Sequence, residues 1–229
     1  MSTAANRRKI AEASATPVEM PGSELYLQKV SDVLKRLPFT QINQVTDVLW
    51  HAYQDNRAVY FFGNGGSAAL ASHCACDFGK GTVVNGNRRF RVLALTDNVP
   101  LMTAWANDAR YEDIFSEQLR SFLQRDDVVF AVSGSGNSPN VLNGLQAARE
   151  IGAFAVGLTG FQGGKMHSLC DLCVVVPSEN MQVIEDVHLS VTHSIFTSFR
   201  ERLGSLTLRQ SLGSVSGRSS SKIERLTDS

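Results

Sequence analysis

The sequence predicts an α/β fold in which helices cover both faces of a parallel sheet. Three observations carry this expectation. Five short apolar runs, rich in β-branched and aromatic residues, recur along the chain and read as strands buried on both sides. Segments with helical apolar spacing separate them. Loops of glycine, serine, threonine and asparagine follow the runs, at 63–67, 96–98, 133–138 and 159–164. Ligands of parallel sheets bind at the carboxyl ends of the strands, where such loops lie.

Residues 1–22 are polar, contain Pro17 and close on Met20-Pro21-Gly22, so they read as a flexible arm. Ser23 is the expected N-cap of a helix carrying Leu25, Leu27, Val30, Val33, Leu34 and Leu37. Pro38 interrupts it. A second helix then places Ile42, Val45, Val48, Leu49 and Ala52 on one face. This hairpin has enough apolar surface to cap the core or to meet another subunit. The first strand is expected near 57–62, followed by a glycine turn and an Ala-rich helix bearing His73 and Asp77. The second strand is Phe90 to Leu95, with helices over 99–107 and 112–123. The third is Val128 to Val132, and a helix starts at Pro139, which suits the first helical position. Phe154 to Leu158 and Leu172 to Val176 form the fourth and fifth strands, with a short helix near 164–169 between them. A last helix covers 181–202. From 204 the chain is Ser-rich with scattered charge and reads as a largely disordered tail. The expected division is therefore an arm over 1–22, one domain over 23–203 and a tail over 204–229.

Composition narrows the function. The 229 residues suit one domain of ordinary size, and 43% hydrophobic content excludes a largely disordered chain. Lys+Arg and Asp+Glu are both 22, so nothing favours nucleic-acid binding through bulk charge. No apolar run reaches the length of about 18 residues that a membrane helix needs. The opening residues lack the apolar core of a secretory signal, and four cysteines are too few for a disulfide scaffold. A cytoplasmic, reducing setting is expected.

The stretch from Val59 to Lys80 carries the chemistry. Strand, glycine turn and helix put backbone N–H groups and the Ser67 hydroxyl at a helix N-terminus, a site that attracts phosphate. His73 and Asp77 lie four apart, on one helix face. A phosphorylated substrate held at one end and worked on at the other fits this layout. Gly63-x-Gly65-x-x-Ala68 also fits the dinucleotide fingerprint, but the acid at the end of the second strand, Asp97, is too far along, which disfavours a nucleotide cofactor. Gly79-Lys80-Gly81-Thr82 ends like a P-loop, but Cys74 stands where that motif needs glycine. In Ser133-Gly134-Ser135-Gly136-Asn137-Ser138, three hydroxyls flank glycines that allow close backbone approach. The bland reading, an N-capping Ser138, explains one serine only.

GNGGSA, TDN, SGSGNSPNVLNGLQAAREIG and GLTG together resemble the sugar isomerase (SIS) domain. NDARYEDIFSEQL and the terminal helix narrow the resemblance to the sedoheptulose-7-phosphate (phosphoheptose) isomerases, over about residues 23–202. The resemblance implies a three-layer αβα sandwich with a flavodoxin-like five-stranded sheet, in a homotetramer with sites at subunit interfaces. It implies a phosphorylated sugar as substrate, with no nucleic-acid or membrane partner. It also implies a divalent metal, zinc, held at His73, Asp77, Glu185 and His193, with Asp77 and His193 as catalytic base and acid. At two of these positions the chain departs from the family pattern, with Asp77 for Glu and Glu185 for Gln. Imidazole and carboxylate ligands suit zinc, and also manganese or iron. His188 reads as a substitute ligand or a surface residue.

The implied substrate-binding set is Asn64, Gly65, Ser67, Lys80, Asp97, Asn98, Ser133, Gly134, Ser135 and Ser138. In it the serines hold phosphate, Asn64 and Asp97 orient hydroxyls, and Lys80 faces phosphate or else is a solvated residue of the last helical turn. The expected activity is aldose–ketose isomerisation through an enediol. The alternative is a non-catalytic SIS protein that senses phosphosugars or serves as an adaptor for a replication initiator. Cys74, Cys76, Cys170 and Cys173 read as buried thiols rather than a zinc cluster.

Overall fold

The computed structural model describes residues 22–223, with side chains through 207. The arm expected over 1–22 falls almost wholly outside the described residues. Helix α1 spans Gly22–Leu34 and α2 Phe39–Gln54. Strand β1 (Val59–Gly63) leads into α3 (Gly66–Gly81), and β2 (Val92–Ala94) into α4 (Val99–Asp108). A 3₁₀ turn over Tyr111–Asp113 and α5 (Ser116–Phe122) precede β3 (Val128–Ser133). Then come α6 (Pro139–Ile151), β4 (Phe154–Thr159), a 3₁₀ turn over Lys165–Ser168, β5 (Leu172–Val175) and α7 (Met181–Ile223).

All strand pairs are parallel, in the order β2-β1-β3-β4-β5. After β1 the chain crosses one face as α3; after β3 it crosses the other as α6. The strand order reverses between β1 and β3, which opens a crevice at their carboxyl ends. Alternate residues of each strand feed two cores. Val59, Phe61, Phe130, Val156 and Leu158 pack with α2, α3 and α7 on one face. Tyr60, Phe62, Val129, Ala131 and Ala155 pack with α5 and α6 on the other.

The expected elements are present, and their differences have local causes. β2 is shorter than its apolar run because it is an edge strand paired only with β1. Ser23 lies inside α1 rather than capping it. The last helix does not stop at 202. Its buried stripe of Val187, Val191, Ile195 and Phe199 continues to Leu203, and Asn87 Nδ2 donates to Thr207 Oγ1 at 3.0 Å, so packing carries the helix past the expected end.

Aromatic packing sets the aim of α3. The ring of Phe78 stacks on Phe61 and meets Phe90, Phe196 and Phe199 edge-on. Phe78 and Cys74 are 2% exposed and form the buried stripe of the helix. His73 and Asp77 each precede one of them, about 100° round the axis. They therefore sit at the edge of the stripe, facing α7. Truncating Phe78 to Ala would remove this anchor at a cost of about 3–5 kcal/mol.

Candidate functional site

Helices α3 and α7 follow parallel strands on the same face and run side by side. His73 Nε2 lies 2.8 Å from His193 Nε2, and Asp77 Oδ2 lies 3.3 Å from the first and 3.8 Å from the second. These three ligand atoms are all within 4.8 Å of one another, the only such group of three or more His, Cys, Asp or Glu among the described residues. Two imidazole nitrogens and one carboxylate oxygen form the kind of three-protein donor set that holds a catalytic divalent ion and leaves a position open. The residues present fit a metal.

Glu185, implied as a fourth ligand, is not in this group. It precedes His193 by two helical turns, about 12 Å along α7. Its carboxylate oxygens lie 2.9 Å from where a Cβ on Gly66 would be. The carboxylate therefore covers the N-terminus of α3, where the helix dipole favours negative charge. Glu185 thus stands apart from the cluster of three, and the α3 N-terminus is not an open phosphate cradle. The N–H groups of Ser67 and Ala68 are already bonded to Asn64 O and Gly65 O. Gly65 turns the chain with φ +54°, which an L side chain resists.

The Ser133–Ser138 loop is largely buried, with Ser135 and Ser138 half-buried, and its hydroxyls are placed differently from the bland reading. Ser138 sits at the N-cap position of α6 but makes no capping bond from its side chain. Its Oγ instead meets Ser133 Oγ at 3.3 Å. Ser135 Oγ accepts from Asn137 N at 3.2 Å. The loop is pinned to the one after β4: Gly160 N donates to Gly134 O, and Met166 N to Gly136 O, each at 2.9 Å. A Cβ on Gly136, whose φ is +64°, would collide with the Gly163 carbonyl.

The remaining expected residues divide. Asn64 and Asn140 form a reciprocal amide pair, both bonds 2.8 Å, and Tyr111 Oη donates to Asn64 Oδ1 at 3.1 Å. The Asn64 side chain is thereby committed to joining the two loops at the switch point. Asp97 Oδ1 accepts from Ser72 Oγ at 2.5 Å, beside His73. Asn98 Oδ1 accepts from Leu101 N and caps α4. Lys80 is exposed in the last turn of α3, about 20 Å along the axis from Gly66. It does not join the serine loops, which favours its reading as a solvated residue of the last turn.

The chain is similar to known proteins. The SIS domain family matches residues 25–160. A phosphoheptose isomerase of Rhodospirillum rubrum is 44% identical over 135 residues, 59% of this chain and 71% of that protein. A probable phosphoheptose isomerase of Thermoplasma acidophilum is 32% identical over 177 residues, 77% of this chain and 97% of that protein. The chain belongs to the SIS-domain phosphoheptose isomerase family. Among solved structures, phosphoheptose isomerase GmhA of Neisseria gonorrhoeae superposes with a TM-score of 0.69 at 26% identity, covering 85% of this chain and 98% of that one. The phosphoheptose isomerase fold therefore extends beyond the SIS match into α7, which supplies His193.

Several residues that bond to the expected site residues are not among the candidates the sequence marks. Asn140, Tyr111 and Ser72 act through side-chain bonds that only the folded loops create. Tyr26 of α1 donates to Asp186 Oδ2 at 2.5 Å, which pushes its hydroxyl pKa up to about 12 and ties the hairpin to the rim of the site. A cavity of about 280 Å3 opens between α3 and α7, lined by Gly66, Ser67, His73, Glu185 and His188 among others. His188 is neither a ligand of the cluster nor a surface residue, being 1% exposed. Among the cysteines, Cys74 is buried and Cys76 is exposed, so the expectation of buried thiols fails for Cys76.

Proposed function

We propose that the chain is an aldose–ketose isomerase of a phosphorylated sugar, interconverting sedoheptulose 7-phosphate and an aldoheptose 7-phosphate. The observation that carries this is the meeting of His73, Asp77 and His193 between α3 and α7, the two helices whose N-termini lie at the carboxyl end of the sheet. Ser133, Ser135 and Ser138 hold the phosphate; their hydroxyls and the adjoining backbone supply donors without a cation. With Glu185 over the α3 N-terminus, phosphate is directed to the β3 loop, away from like charge.

Asp77 turns Oδ2 toward both histidines and leaves Oδ1 for the substrate. It takes the proton from one of C1 and C2 and returns it to the other, through an enediol. His193 moves the hydroxyl proton between the two oxygens, and Asp97 orients a neighbouring hydroxyl. His73, Asp77 and His193 would hold a divalent ion, zinc, which when bound polarises the carbonyl. The protein acts as a cytoplasmic homotetramer. Leu27 and Phe39 on the hairpin are 65% and 57% exposed, which supports burial of this surface between subunits. No helix among the described residues is long and apolar enough to cross a membrane.

The test is turnover of a panel of ketose and aldose phosphates by purified protein with its metal content measured. Interconversion of a seven-carbon pair supports the reading. Binding without turnover by metal-loaded protein replaces it with a phosphosugar sensor or adaptor.

A further inference from the structure

The loop after β2 has the least backbone support of those at the carboxyl end of the sheet. β2 is three residues long and pairs on one side only, with β1. The loops after β1, β3 and β4 follow strands paired on both sides. The support that a neighbouring strand would supply comes instead from α3. Ser72 Oγ donates to Asp97 Oδ1 at 2.5 Å and lies 3.1 Å from Thr96 Oγ1.

The protons on these groups can be placed. A serine hydroxyl has one. Ser72 could give it to the Asp97 carboxylate or to Ala68 O, 3.3 Å away and one turn back in α3. The carboxylate is both nearer and charged, so it takes the proton. Thr96 then donates to Ser72 Oγ, the nearer of its two acceptors, Ala68 O being 3.4 Å away. The three side chains form a directed chain from Thr96 through Ser72 to Asp97.

At its end, Asp97 is exposed, and its Oδ2 has no partner among the described residues. One oxygen is held by the protein and the other is left open. A ligand that used an unheld carboxylate would have to arrest its rotamers on binding; here that ordering precedes the ligand. Asp97 is not a member of the donor cluster, but its anchor Ser72 adjoins His73 in the chain. An ionised carboxylate oxygen only accepts, and it repels phosphate, so a sugar hydroxyl is the group that suits Oδ2.

We propose that Ser72, backed by Thr96, is a positioning residue that holds Asp97 so that Oδ2 accepts a hydrogen bond from a hydroxyl of the sugar chain, making the site selective for sugars that carry this hydroxyl. The inference rests on the isomerase reading. It adds a specificity device anchored on α3, outside the loop that makes the contact.

A double-mutant cycle tests it. Wild type, Ser72→Ala, Asp97→Ala and the double variant are compared for KM, kcat and calorimetric affinity, with the best-bound member of a sugar-phosphate panel and with inorganic phosphate as probes. Ser72→Ala should weaken sugar-phosphate binding roughly 3- to 30-fold. The loss should appear in KM, with kcat within a few-fold of wild type, because a bond to a non-reacting hydroxyl is made alike in ground and transition states. Once Asp97 is gone the effect should vanish, so that Asp97→Ala and the double variant bind the sugar phosphate alike within roughly twofold. Inorganic phosphate should bind all four proteins equally. Unchanged sugar-phosphate affinity in Ser72→Ala overturns the proposal. A loss that persists undiminished in the Asp97→Ala background, or that extends to inorganic phosphate, also overturns it, since either shows a merely structural serine. If wild type neither binds nor converts any sugar phosphate, the isomerase reading itself has failed and the proposal falls with it.

Discussion

His73 and His193 touch Nε2 to Nε2 at 2.8 Å although 120 residues separate them in the chain. With Asp77 Oδ2 3.3 Å from His73, the contact makes a small donor cluster out of two helices that also pack on each other through Phe78, Phe196 and Phe199. Removing either imidazole leaves two of its three donors. His73→Ala and His193→Ala should therefore each lower bound metal, measured by elemental analysis, and abolish isomerisation, with the serine loop still binding phosphosugar.

Asp77 tests the chemistry within that cluster. Asp77→Asn keeps the shape but cannot take a proton at neutral pH, so kcat should fall far more than phosphosugar affinity. Asp77→Glu adds a methylene to a carboxylate already at contact distance from His73. The longer acid should overshoot and lower kcat, since misplacement by about 1 Å is costly in proton transfer. A rise in kcat would show instead that the site awaits the longer acid.

Glu185 faces Gly66 rather than the donor cluster. Glu185→Gln should leave metal content unchanged, which sets it apart from the two histidine variants. It should also lower stability slightly, by about 0.3–1 kcal/mol, through loss of a carboxylate at a helix N-terminus. A clear fall in bound metal would return Glu185 to the ligand set.

Ser135 tests the proposed phosphate site. Ser135→Ala should weaken phosphosugar binding by about 0.5–3 kcal/mol, the span from neutral to charge-assisted hydrogen bonds. Binding of unphosphorylated sugars should barely change. Equal losses for both ligands would move the phosphate elsewhere.

His188 makes stability depend on pH. Its folded pKa is about 4, below the ordinary value near 6.5, so below pH 6.5 the unfolded chain takes up a proton that the folded chain refuses. Stability contributed at neutral pH should fall progressively as pH drops from about 6.5 to 4, by up to roughly 3 kcal/mol. Denaturant unfolding of wild type and His188→Leu across this range should show the difference narrowing toward neutrality. Parallel pH profiles for the two proteins would contradict it.

Much of the protein is decided by short-range pattern. Apolar runs such as Val59 to Phe62, the glycine turn after them and Pro139 at the start of α6 act over a few residues, through backbone conformation and the side-chain period of strands and helices. The order of elements and the parallel sheet are legible in the chain for that reason, and the His73–Asp77 pair stands out on one helical face. The tertiary structure alone decided which distant groups meet. Helix packing around Phe78 brings His193 to His73 and sends Glu185 to Gly66. Loop closure turns Ser138 toward Ser133 and joins Asn64 to Asn140. The His188 imidazole is buried with one nitrogen unspent. Such contacts depend on the register of strands and the rotation of helices set by the whole core, and, Ser133 and Ser138 apart, the partners lie in separate stretches of the chain.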